Sequence, residues 1–89
     1  MKEIRKTIVY GENEAGVPFV EAPDNLKVYM SLSEDEVLIE GNKRSLEFLA
    51  TVLVSVCDKQ GFHKHIDSET YPGFRGGGKV LTIAHLDKP

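Results

Sequence analysis

The segment from Val37 to Asp67 constrains this chain more than any other. It reads as a short β-run, Val37-Leu-Ile-Glu40, then Gly41-Asn42, a helical pattern, Gly61, and a second β-run from Phe62 to Asp67. Asn42 is a good N-cap, because its side-chain oxygen can take an N–H that a helix start leaves unbonded; Ser45 is the weaker candidate. The helix is expected from about Lys43 to Gln60, with Gly61 as a natural stop. A strand, a helix and a strand in this order form a βαβ crossover. The two strands are therefore expected to run parallel, though not necessarily side by side.

Within the helix, Leu46, Leu49, Ala50, Leu53, Val54 and Cys57 recur at helical spacing and are expected to face the core. Arg44, Glu47, Thr51, Ser55 and Asp58 form the opposite polar stripe. Phe48, Val52 and Val56 flank the apolar stripe. They read most simply as additional core, and alternatively as the contact of a homodimer. On this reading Cys57 is a buried, inert thiol.

The first half of the chain is β-rich. Glu3 to Tyr10 is expected as a strand, Gly11 to Gly16 as a turn, and Val17 to Glu21 as an edge limited by Pro18 and Pro23. Leu26, Val28, Met30 and Leu32 alternate with Lys27, Tyr29 and Ser31, the pattern of a half-buried strand. Ser33 to Glu36 turns the chain, so Leu26 to Glu40 should be a hairpin. Phe62 to Asp67 and Lys79 to Leu86 should pair antiparallel across the connection 68–78. The expected fold is α+β, one domain over 1–89: a mixed, mostly antiparallel sheet of about five strands with one long helix on one face, in the order β-β-β-α-β-β.

Charge and composition narrow the function. With 40% apolar and 28% charged residues, this is the balance of an ordinary globular domain. No apolar run could span a membrane, no segment reads as a signal peptide, and the single cysteine excludes an internal disulfide. A cytoplasmic protein is expected. Residues 1–40 carry nine acidic and four basic side chains; residues 41–89 carry five and seven. The absence of a basic stripe argues against nucleic acid. The acidic cluster Glu34-Asp35-Glu36 suits a basic protein partner, or is simply a solvated turn.

Two motifs raise chemistry. His63, His65 and Asp67 alternate along the second β-run and would share one face of it. If Ile66 lies across from Thr82, His63 faces His85, and imidazoles and a carboxylate suited to zinc gather there. A register slip of one residue removes His85, and these side chains are then the polar face of a strand. Gly73-Phe-Arg-Gly-Gly-Gly78-Lys79 matches the opening of a phosphate-binding loop. However, Val80 stands where a Ser or Thr is needed, and a strand pattern follows instead of a helix. The same loop reads better as a contact surface, with Tyr71, Phe74 and Arg75 set among glycines; the plainer account folds Tyr71 or Phe74 back on the sheet. No cofactor and no catalytic constellation is expected.

Val37-Leu-Ile-Glu-Gly-Asn42, the helix Leu46 to Cys57, His63-Lys-His-Ile-Asp67 and Gly78-Lys-Val-Leu-Thr-Ile83 together resemble a small family of bacterial immunity proteins, number thirty-two among those of polymorphic toxin systems. The resemblance covers the C-terminal half; loop 68–78 departs from it. It implies a protein that inhibits a toxin by direct binding, without catalysis. The partner-binding candidates are Tyr71, Phe74, Arg75, Glu34, Asp35 and Glu36; the metal candidates are His63, His65 and Asp67.

Overall fold

A computed structural model describes residues 1–86, and the last three positions of the expected domain lie outside it. The fold is α+β. Among the described residues it has one helix and seven short strands: β1 (Gly11–Glu12), β2 (Pro18–Phe19), β3 (Val28–Leu32), β4 (Val37–Gly41), α1 (Lys43–Cys57), β5 (His63–Ile66), β6 (Phe74–Arg75) and β7 (Leu81–Ala84). The strands form three small sheets instead of the single sheet expected: β1-β2, β4-β3-β6 and β5-β7.

The β3–β4 hairpin forms as its alternation requires. Val28 pairs with Gly41, Met30 with Ile39 and Leu32 with Val37 on one face; Tyr29 pairs with Glu40 and Ser31 with Leu38 on the other. Val28 and Met30 are buried, so the first face is the inner one. The Ser33 N–H donates to Glu36 O at 2.8 Å and closes the turn.

Asn42 caps α1, its Oδ1 accepting the Ser45 N–H at 2.9 Å. Ser45 is itself fully buried, and its Oγ accepts the Lys27 N–H at 2.8 Å. The first turn of the helix is thereby fastened to the start of the hairpin. The helix ends at Cys57, three residues earlier than the glycine rule suggests. The Asp58 N–H reaches back to Val54 O, and Lys59 to Phe62 forms a turn with Gly61 at φ +79°. Gly61 thus serves that turn and not the helix end.

The core corrects the helix orientation. Phe48, Leu49, Val52 and Val56 are buried, with Val20, Val28, Met30, Ile66 and Phe74 packed around them. Leu46, Ala50, Leu53 and Cys57 are exposed and Val54 is only half-buried, so of the expected stripe Leu49 alone is core. Apolar residues cover more than half of this helix, and periodicity could not choose between two adjoining stripes. Tertiary contact chose the one carrying Phe48. That choice also removes the Phe48–Val52–Val56 flank as a homodimer contact.

Other expectations change too. Residues 3–10 form no strand. They run along α1, with Lys6 Nζ 3.4 Å from Glu47 Oε2 and the Tyr10 hydroxyl donating to Asp58 Oδ2 at 2.6 Å. A segment laid on a helix has no ladder to join. β4 and β5, the two strands of the expected crossover, belong to different sheets. The parallel pair is instead β3 with β6, Val28 opposite Phe74 and Tyr29 opposite Arg75.

Candidate protein-binding surface

The connection 68–78 divides into a buried part and an exposed part. Phe74, expected as a contact residue, is fully buried against the core. Its position is fixed by Gly73, where a Cβ would lie 1.7 Å from the Leu26 carbonyl oxygen. Only glycine permits so close an approach, and it lets Gly73 O accept the Val28 N–H at 3.0 Å. Tyr71 also folds back: its ring centroid is 5.5 Å from that of Phe48, and Lys64 Nζ lies 5.5 Å from the Tyr71 centroid. The plainer reading of this loop therefore holds for both aromatic residues. Arg75 alone remains exposed. Gly77 and Gly78, with φ of +62° and +84°, then turn the chain toward β7.

Arg75 stands on the outer face of the β4-β3-β6 sheet. Cross-strand pairing sets Glu40, Tyr29 and Arg75 in one row there, with Leu38 and Ser31 in the next. Tyr29 is 47% exposed and Leu38 38%. No helix covers this face, since α1 packs on the other one. An aromatic ring and a guanidinium on a rigid sheet, beside an aliphatic residue, is the composition of an interface centre. Tyr29 and Leu38 escaped sequence reasoning. The available signal was an aromatic at a polar position of a strictly alternating strand.

The acidic turn Glu34-Asp35-Glu36 is exposed at the tip of the hairpin. It begins five residues beyond Tyr29, or about 16 Å along an extended chain. The two groups of partner-binding candidates thus lie at opposite ends of β3.

The metal candidates do not converge. Ile66 pairs with Leu81 and His63 with Ala84, one residue away from the register that would bring His85 across from His63. His85 instead meets Phe62, its N–H donating to Phe62 O at 2.9 Å, on the half-buried face of β7 with Leu81 and Ile83. His63 and His65 are neighbours on the exposed face, with ring centroids 4.9 Å apart. His65 Nδ1 is 2.8 Å from Thr82 Oγ1, a partner that is no metal ligand set. Asp67 is committed elsewhere: its Oδ1 accepts the Thr70 N–H at 2.8 Å, and its carbonyl accepts that of Tyr71 at 3.0 Å. The Thr70 amide holds the Asp67 carboxyl below the usual carboxylate range. Among the described residues, no three His, Cys, Asp or Glu side chains gather where they could hold an ion.

Two other groups have chemical interest. Cys57 is exposed, against expectation, with its Sγ 3.6 Å from Asp58 Oδ1. Desolvation and the neighbouring carboxylate raise its pKa, the opposite of what activates a thiol. The hydrogen bond to Asp58 pushes the Tyr10 hydroxyl up to about 12. An open cleft of about 500 Å³ is lined by Glu21, Asp24, Asn25, Arg44 and Glu47 among others.

No protein-family model, curated protein or solved structure matches the chain. Among the described residues no helix is long and apolar enough to cross a membrane.

Proposed function

We propose that this protein acts by binding another protein, without catalysis, through the outer face of its three-stranded sheet. The observation that carries the reading is the uncovered row Glu40–Tyr29–Arg75 with Leu38 beside it, on strands held rigid from below by Val28, Met30 and Phe74. The backbone that carries these side chains is held by the strand ladder, so little backbone entropy is lost on association. The resemblance of the C-terminal half to immunity proteins supplies the kind of partner: a toxin, neutralised by direct contact. In that role the acidic turn Glu34-Asp35-Glu36 assists by attracting a basic toxin surface.

The test is rescue of growth. The product of the adjacent gene is expressed alone, with this protein, and with the double variant Tyr29→Ala, Arg75→Glu. Rescue by the native protein and its loss in the variant, at unchanged thermal stability, supports the reading. An adjacent product that does not inhibit growth, or a variant that rescues fully, defeats it.

A further inference from the structure

We infer that β4 is a self-pairing edge, and that two copies of this chain join through it into a continuous six-stranded sheet. β4 is the outer strand of the sheet β4-β3-β6 and has no neighbour on its far side among the described residues. Protein edges of this kind are normally guarded by charged side chains, above all lysine, by proline, a bulge or extreme shortness. β4 has no lysine, proline or bulge over its five residues, Val-Leu-Ile-Glu-Gly, and its one charge, Glu40, stands on the outer face near the end of the strand. Val37 is 66% exposed and Ile39 39%, although both belong to the inner, apolar face of the hairpin.

The hydrogen-bond pattern restricts how a partner strand could add. Ser33 and Glu36 form a bonded pair at the turn. Bonded and non-bonded pairs alternate along an antiparallel ladder, so Leu38 and Glu40 direct their N–H and C=O groups toward β3. Val37, Ile39 and Gly41 therefore direct theirs outward. A twofold pairing must match outward groups with outward groups, and every centre on a residue of β4 does so. The centre at Ile39 alone overlaps the whole strand: Ile39 faces its own copy, and Val37 faces the partner copy's Gly41.

Two further features agree with that register. A Cβ at Gly41 would lie 3.0 Å from the Lys27 carbonyl oxygen and 3.6 Å from Leu46 Cδ2, so glycine is needed here and the exposed Leu46 lies beside it. Val37 of one copy, set across from Gly41, covers Leu46 of the other. Charge agrees as well. In this register Glu34, Asp35 and Glu36 of one copy run toward Lys43 and Arg44 of the second, twice over by symmetry. None of these five side chains takes part in an ion pair among the described residues. The centre at Val37 would instead bring the two acidic turns together, the centre at Leu38 would set Glu36 opposite Glu40, the centre at Glu40 would set two carboxylates face to face, and the centre at Gly41 would leave most of the edge unpaired. The dimer leaves the outer face free, so this inference does not depend on the proposed binding role and can fail separately from it.

Sedimentation equilibrium of the purified chain tests it. The expected mass is twice 9.9 kDa at concentrations on the order of 100 μM, because a five-residue edge makes a small interface. Ile39→Pro removes an N–H that points away from β3, so it should leave the monomer folded and weaken association at least about tenfold. Glu34→Lys with Asp35→Lys, and separately Lys43→Glu with Arg44→Glu, should each weaken self-association; mixing the two variants should restore a heterodimer. A monomer at every concentration overturns the inference and leaves the edge to a strand of some other protein. A dimer indifferent to Ile39→Pro, or charge variants that do not recover on mixing, overturns it too.

Discussion

Replacing Phe74 with alanine separates a core residue from a contact residue. The ring is wholly enclosed: it lies across from Val28 in the β3–β6 pair and belongs to the cluster that packs on α1. Gly76 closes it from above, since a Cβ there would lie 2.7 Å from Phe74 Cε2. Little can collapse into the space left behind, because the neighbouring backbone is held by the Val28 N–H to Gly73 O bond. Truncation of a buried phenylalanine costs about 3–5 kcal/mol. A domain of 89 residues has roughly 4–13 kcal/mol in total, so the variant is expected near the edge of folding. With a urea m-value of about 1–1.5 kcal/mol per molar for so small a chain, the midpoint should fall by about 2–5 M. Far-ultraviolet circular dichroism against urea reads this directly, with Arg75→Ala as the exposed control, expected within about 0.5 kcal/mol of wild type. A Phe74→Ala midpoint within about 0.5 M of wild type would show that the ring does not hold the sheet to the helix.

Two more substitutions probe the joints of the fold. Ser45→Ala leaves the Lys27 N–H without its acceptor at a buried helix start; it should cost about 1–3 kcal/mol in the same urea assay, and a loss under about 0.5 kcal/mol would refute the role. Asp67 has a folded pKa below its unfolded value near 3.8, so its ionised form favours the folded state. That contribution is complete above the unfolded value and is lost as pH falls through the folded one. The melting temperature of Asp67→Asn should therefore lie below wild type at neutral pH and converge with it under acid, below about pH 4; a gap independent of pH would show that the carboxylate charge contributes nothing.

The candidate site was only partly legible in the sequence. Arg75 is where a contact residue should be, but Phe74 beside it is core. Alternation along a two-residue strand carries no period, so nothing local distinguishes the inward residue from the outward one. The zinc reading turned on a register that one residue decides, and the ladder took the register that separates His85 from His63. Tyr29 was placed correctly on the outer face of its strand, yet its importance depends on what else shares that face.

Sequence alone determined the α+β class, the β3–β4 hairpin, the Asn42 cap and the antiparallel pairing of β5 with β7. Each rests on interactions between near neighbours, or on a polar–apolar period long enough to read. The tertiary structure decided which stripe of α1 is buried, that β6 joins β3 in parallel, and that residues 3–10 lie on the helix. It also left β4 open. These outcomes depend on which apolar surfaces meet, and burial is non-directional: a helix apolar over most of its circumference offers several faces, and only packing against Val28, Ile66 and Phe74 selects one. Leu46, on the stripe that lost that competition, lies beside Gly41 at the open edge, where the second copy is proposed to cover it.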